Sequence, residues 1–358
     1  MRDSNVHPAW LVLGFEKQLE RNGMYHSVSG ARRIAVLGGA GFVGSALVRR
    51  LVRAGHAVAV VDNFFHGSRQ NLADIAGLGA VIELDALDYP ALRDFLAATS
   101  PDVVVNCIGD TFIPSAYEVP ERFLDLNIRT ALNVLRACAA AHTGRLLHLS
   151  STEVYGDNGA NACTERAALA PENTYAVSKL AADRLCYTFA VEHGVPTVIA
   201  RLFNTYGPRE THPYIVPEII AQLSVSNCLS LGNLDAERDF TYVDDTAAAL
   251  EALMWIPAEP GEVFNIGSGE VVAVRTLAQM LGVSMGHGSI NISVRERRLR
   301  RRDLERLCCD STKLRTRTGW EPGVGLEQGL ALTVEWFRQN GLRWPWQDRL
   351  APAVAQLT

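Results

Sequence analysis

Short apolar runs alternate along this chain with stretches of helical periodicity. Arg33 to Leu37, Ala57 to Val61, Val81 to Leu84, Val103 to Cys107, Arg145 to Leu149 and Thr197 to Arg201 are each brief and largely apolar. Runs of this kind mark strands buried on both faces of a parallel sheet. Between them, residues 42–54, 89–98, 120–141 and 173–193 carry the periodicity of helices. The alternation predicts an α/β fold with a doubly wound parallel sheet. From Asn204 onward the pattern turns irregular and is punctuated by proline. A main lobe over 33–204 is therefore expected, with a smaller lobe occupying most of 205–358 and the chain returning to the main lobe at about 239–266.

The first strand runs into Gly38-Gly-Ala-Gly41-Phe-Val-Gly44. Glycines at a strand-to-helix turn allow a tight bend and let backbone N–H groups and the helix N-terminus approach a pyrophosphate. The spacing is Gly-x-x-Gly-x-x-Gly, and an ordinary turn is the bland reading of such a run on its own. The second strand adds Asp62, at the place where a carboxylate accepts both adenine-ribose hydroxyls and repels a 2′-phosphate. NAD is thereby favoured over NADP, with Arg69 nearby as the contrary signal. Downstream, Tyr175-Ala-Val-Ser-Lys179 places a phenol and an ammonium four residues apart, on one helix face. A lysine beside a phenol favours the phenolate, so Tyr175 can exchange a proton while a nicotinamide exchanges hydride. That pairing is alcohol-to-ketone chemistry.

With these motifs, Ser150-Ser-Thr-Glu-Val-Tyr-Gly156, Arg201-Leu-Phe-Asn-Thr-Tyr-Gly-Pro-Arg209, Arg238-Asp-Phe-Thr-Tyr-Val-Asp-Asp245 and Phe264-Asn-Ile-Gly-Ser-Gly269, the chain resembles the extended short-chain dehydrogenase/reductases that act as NAD-dependent nucleotide-sugar epimerases and dehydratases. The resemblance spans about residues 32 to 340 and implies a Rossmann domain with a C-terminal substrate-binding lobe. It departs at Asn106-Cys-Ile-Gly109, where the family usually has His-Leu-Ala-Ala, and at Thr130, a usual glycine. It implies cofactor contacts at Gly38, Gly41, Phe42, Val43, Gly44, Asp62, Asn63, Asp85, Ala86, Tyr175 and Lys179. Substrate contacts are implied at Asn204, Arg209, Arg238 and Arg300, the last in an arginine-rich segment whose bland reading is a solvated charged loop. Asn127, Tyr155 and Asn265 resemble positions that orient the site or shape the cleft. A homodimer built on helices 120–141 and 173–193 is expected by the same resemblance.

The chemistry turns on Ser151-Thr152-Glu153. By resemblance Ser151 completes a Ser-Tyr-Lys triad, and Glu153 stands where dehydratases have an acid and simple 4-epimerases generally do not. Oxidation at C4 of a sugar acidifies the C5 hydrogen, a carboxylate removes it, and the C6 hydroxyl leaves as water. Many relatives have aspartate at the position of Thr152 as leaving-group acid, whereas others have serine. A nucleotide-sugar 4,6-dehydratase is the first expectation. A 4-epimerase and a nucleotide-glucuronate decarboxylase are the enzymatic alternatives, and a non-catalytic dinucleotide-binding sensor is the alternative from another class.

Composition narrows the partners. A net charge of −5 indicates no nucleic-acid surface, and no apolar stretch is long enough for a membrane helix. The seven cysteines contain no Cys-x-x-Cys pair, and no histidine cluster has metal spacing, so a reducing cytoplasm and no bound metal are expected. His148, within an apolar strand, reads as a core residue. Residues 1–32 form an extension whose Pro8 to Phe15 segment is too short to span a bilayer and lacks the flanks of a signal peptide.

Overall fold

The computed structural model describes residues 30–299 and 303–341. Six strands follow the expected runs: β1 (Arg33–Leu37), β2 (Ala57–Asp62), β3 (Val81–Glu83), β4 (Val103–Asn106), β5 (Arg145–Ser151) and β6 (Thr197–Leu202). Three more, β7 (Asn204–Tyr206), β8 (Cys228–Leu231) and β9 (Glu237–Tyr242), precede β10 (Glu262–Ile266). The large sheet has seven strands in the order β10-β6-β5-β4-β1-β2-β3, and every neighbouring pair is parallel. Strand order reverses at β1, so a crevice opens beyond the carboxyl ends of β1 and β4, where open α/β sheets bind ligands.

Both faces of the sheet are covered, which is why its strands are almost uniformly apolar. On one face, helices Phe42–Arg53 and Val243–Trp255 pack Leu47, Leu51, Leu250 and Leu253 against β1, β5 and β6. On the other, helices Tyr89–Thr99, Thr130–Ala140 and Thr174–His193 bury Leu92, Leu96, Val134 and Cys186. The smaller lobe has its own core, with Ile219, Leu231, Phe240, Leu277 and Val334 among its buried side chains.

Two features add detail to the sequence reading. β9 pairs with β7 and with Val271–Ala273 in a separate sheet, and the chain packs against the large sheet again from helix Val243–Trp255. The segment 120–140 is helical throughout, as expected, but not α-helical throughout. It runs as Pro120–Leu124, a π-turn at Asp125–Arg129, and Thr130–Ala140. A π-turn inserts a residue into the helical ladder and re-aims a side chain. Here that residue set contains Asn127, whose Oδ1 accepts the Asp110 N–H at 3.1 Å while its Nδ2 donates to Ser178 Oγ at 2.8 Å.

Candidate active site

A cleft of about 1180 Å³ opens at the switch point and runs between the lobes. Its cofactor half is backbone-shaped. Gly38 sits at φ +75°, and a Cβ added at Gly44 would fall 2.2 Å from the Gly38 carbonyl oxygen, so only glycine lets the helix start this close to the turn. Gly38, Gly41, Phe42, Val43, Gly44, Asp62, Asn63, Asp85 and Ala86 all line this half. The Asp62 carboxylate is tied by the Ala40 N–H at 2.9 Å and the Phe64 N–H at 2.8 Å, and burial pushes its pKa up. Carboxylate oxygens retain further acceptor sites, so ribose hydroxyls fit there. Arg69 is directed elsewhere, pairing with Glu83 at 2.5 Å and stacking on Phe64. Asn63 donates to Asp85 at 3.0 Å, holding the adenine-side wall together.

Tyr175 and Lys179 lie one helical turn apart and are both buried against the cleft floor. Burial pushes the Tyr175 phenol well above its usual range, and the hydroxyl of Ser151 beside it works in the opposite direction. Burial pulls Lys179 down to about 8, opposed chiefly by Asp183. Lys179 Nζ donates to the Leu149 carbonyl at 2.6 Å, which anchors the ammonium under β5. Ser151 ends that strand and caps the short turn Thr152–Tyr155, with its Oγ accepting the Glu153 N–H at 3.2 Å.

Glu153 therefore emerges at the carboxyl edge of the sheet, and Asn173 Nδ2 donates to its Oε2 at 3.1 Å. Thr152 lines the same wall, and its buried Oγ1 has no hydrogen-bond partner among the described residues. The same holds for Oδ1 of Asn204. Buried polar atoms left without partners at a cleft are what a polyhydroxylated ligand would satisfy. On the smaller lobe, Arg238 lines the cleft and pairs with Asp303 at 2.9 Å. His148, expected in the core, is buried in β5 and meets Asn106 at 3.2 Å.

One expected substrate contact is not brought to this cleft. Arg209 has φ +67°, and the turn at Gly207-Pro208 sends its guanidinium away to Asp74, at 3.0 Å, and over the Trp336 ring. It belongs to a separate small depression with Arg49 and Asp244. Arg300 lies outside the described residues, as do residues 1–29 of the extension.

One cluster escaped the sequence reading. His66, Asp110 and His212 bring one potential ligand atom each within 4.8 Å of one another. The His66 and His212 rings meet at 4.5 Å between centroids, tilted by 60°, joining the loop after β2 to the loop after β7. Burial pushes His66 down to about 4, against the pull of Asp110, and His212 well below its usual value, so burial disfavours charge on both rings. The Asp110 carboxylate is already held by Arg122, through Nε at 2.8 Å and through Nη2. Arg122 thus supplies the positive charge a cation would bring. Beside it the Tyr214 phenol, close to Tyr175, is bonded to the Thr111 hydroxyl. No spacing signal could reveal this group, since its members come from separate segments of the chain.

The fold and site define a Rossmann-type dinucleotide-binding scaffold with a buried tyrosine-lysine pair lining its cleft. A family model described as GDP-mannose 4,6 dehydratase matches residues 35–333. The dTDP-glucose 4,6-dehydratase of Streptomyces niveus is 32% identical over 327 residues, covering 87% of this chain and 94% of that protein. The UDP-N-acetyl-alpha-D-glucosaminuronate decarboxylase of Bacillus cytotoxicus is 30% identical over 324 residues, with 86% and 98% covered. The solved structure of UDP-glucose 4-epimerase from Thermus thermophilus in complex with NAD superposes with a TM-score of 0.77 at 28% identity, covering 86% of this chain and 99% of that one. The chain belongs to the extended short-chain dehydrogenase/reductase family of NAD-dependent nucleotide-sugar dehydratases and epimerases.

Proposed function

We propose that this enzyme is an NAD-dependent nucleotide-sugar 4,6-dehydratase. The observation that carries the reading is Glu153, a carboxylate held by Asn173 at the strand end beside Tyr175 and Ser151. NAD, bound along the glycine turn with its ribose at Asp62, supplies the hydride acceptor for C4 and the hydride returned to C6. Ser151 donates to the C4 oxygen, and Tyr175, acting as the phenolate that the Lys179 ammonium favours, takes the C4-hydroxyl proton as that carbon is oxidised and becomes the phenol. Glu153 then removes the acidified C5 proton. Thr152 offers no acid, so the proton Glu153 has gained passes to the departing C6 hydroxyl, which leaves as water. C5 is reprotonated from groups in exchange with solvent. The product is a 4-keto-6-deoxy sugar still joined to its nucleotide, whose diphosphate is taken by Arg238 and, by resemblance, Arg300.

The protein is further proposed to act as a homodimer, supported by the exposed apolar side chains Val177, Tyr187 and Val191 on helix Thr174–His193 and Tyr117 and Leu124 nearby. Light scattering that gives a monomer at micromolar concentration would remove this part of the reading. The activity is tested by incubating the enzyme in heavy water with dTDP-glucose, GDP-mannose, UDP-N-acetylglucosamine and UDP-glucuronate and weighing the products. Loss of one water with deuterium at C5 is expected from one of them. A product of unchanged mass inverted at C4 would instead make the enzyme an epimerase, and loss of carbon dioxide would make it a decarboxylase.

A further inference from the structure

Beneath the proton-transfer pair lies a polar layer that the reaction as described does not use. Tyr175, Lys179 and Asp183 are spaced four apart along helix Thr174–His193 and share one face of it. All three are buried. Asp183 Oδ2 accepts from Arg201 Nε at 2.9 Å, and the Ser150 hydroxyl beside it also favours the charged carboxylate. Arg201 is equally buried. It stands on β6 in register with Ser150 on β5, and its Nη1 donates to the Tyr155 hydroxyl at 3.0 Å. Tyr155 donates in turn to Asn265 Oδ1 at 2.6 Å, so the clamp on Asp183 is fixed from the far edge of the sheet.

The surroundings of Lys179 leave it one anion. On its own helix it faces Asp183 and Cys186, from the end of β4 Cys107 and from β5 His148, while Arg201 on β6 lies behind Asp183 as its partner. Burial pushes the Cys107 thiol up to about 12 and Cys186 well above its usual value, so neither is a thiolate. Burial, with Lys179 itself, holds His148 neutral. Asp183 is likewise pushed up by burial, with Arg201 as the largest opposing influence. A buried ammonium with no counter-charge gives up its proton.

We propose that Asp183 is a positioning residue for the proton-transfer pair: clamped by Arg201, it supplies the counter-charge that keeps Lys179 protonated beneath Tyr175 during C4 oxidation. This rests on Tyr175 and Lys179 performing that oxidation and is independent of whether dehydration, epimerisation or decarboxylation follows. Asp183 sets the alkaline limit of the hydride step without touching substrate. A neutral Lys179 no longer favours the phenolate, so activity is lost as pH rises through the lysine's own titration.

The chain contains only three lysines, Lys17, Lys179 and Lys313, which makes the lysine itself measurable. In a Lys17→Arg/Lys313→Arg background labelled with 13Cε-lysine, the remaining NMR signal reports the titration of Lys179 with no substrate present. Asp183→Asn is expected to lower that midpoint by about one pH unit or more. Because Asp183→Asn strands Arg201 as a buried charge, Asp183→Asn/Arg201→Met, which removes both partners, is measured alongside and is expected to lower the midpoint in the same direction. An unchanged midpoint in the folded variants overturns the proposal. Reduction of bound NAD by whichever of the four nucleotide sugars the parent enzyme oxidises gives the second readout. Its alkaline limb is expected to move down with the midpoint, kcat changing and KM holding, and Asp183→Glu is expected to restore it. Equal loss at every pH with the limb unmoved would show a merely structural role. Failure of all four sugars would count against the proposed function, while the NMR midpoint would still decide for or against Asp183.

Discussion

Asn173 binds Glu153 and at the same moment starts the helix that carries Tyr175: its Oδ1 accepts the Ala176 N–H at 2.8 Å and its Nδ2 donates to Glu153 Oε2 at 3.1 Å. One amide thus fixes the carboxylate proposed for C5 relative to the phenol proposed for C4. Asn173→Ala is expected to cost about 1 kcal/mol of stability through the lost cap. Asn173→Ser keeps a capping oxygen but loses the amide that holds Glu153. Thermal unfolding and single-turnover kinetics separate the two effects. The serine variant should melt near the parent temperature yet accumulate oxidised intermediate, and normal turnover in it would show that Asn173 serves the helix alone.

Tyr175→Phe is expected to leave NAD binding nearly unchanged and to slow turnover by about 100-fold or more, since it removes the group that exchanges the C4-hydroxyl proton. In the parent enzyme, hydride transfer is expected to fall as pH rises through about 8, where Lys179 loses the proton it keeps below that value. A stopped-flow profile of NAD reduction across that range checks the sign. Activity still rising well beyond it would separate the phenol from the lysine.

Gly44→Ala tests the cofactor cradle. The added Cβ would lie 2.2 Å from the Gly38 oxygen and 2.9 Å from the Gly39 Cα, both backbone atoms that cannot swing aside. A loss of about 2 kcal/mol or more in stability is expected, together with weaker NAD binding. Unaltered melting and titration curves would mean that the turn is looser than its geometry.

Asp62 carries the choice of dinucleotide. Its carboxylate lines the cleft beside the glycine turn, while Arg69 is turned to Glu83 and Phe64. NAD is expected to bind more tightly than NADP, and Asp62→Asn to narrow the gap. Fluorescence titration that finds NADP held as firmly as NAD would reverse the assignment.

The main lobe was legible because its signals are local. β1, β2 and the glycine turn are read from consecutive residues, and the burial of parallel strands on both faces makes their apolar runs unmistakable. The helix over 120–141 was legible from its periodicity, but the π-turn at Asp125–Arg129 within it was not, since the partners of Asn127, Asp110 and Ser178, come from elsewhere in the chain. Arg209 misled for a related reason. A side chain's direction after a left-handed residue depends on the turn's own φ, +67° here, which no motif position reveals. The Asp183–Arg201 pair joins a helix to the strand that follows it, and the His66–Asp110–His212 group joins three separate segments, so packing, not a motif spacing, brings each together.

Glu153→Gln separates the two halves of the proposed reaction. The amide keeps the size of the side chain and can still meet Asn173, but it cannot take a proton from C5. Oxidation at C4 needs Tyr175, Lys179 and Ser151 and not this carboxylate, so NAD should still be reduced on mixing with substrate. The intermediate should then stall, with NADH absorbance persisting, no water lost and deuterium uptake at C5 slowed by about 100-fold or more. The parent enzyme, by contrast, should pass through NADH transiently and release a product lighter by one water. If Glu153→Gln instead turns over at the parent rate, the strand-end carboxylate is a structural partner of Asn173, and the C5 base must be sought elsewhere on the cleft wall. If it neither reduces NAD nor turns over while still folding and binding NAD, Glu153 acts already at the C4 step, and the division of labour between phenol and carboxylate proposed for this site is wrong.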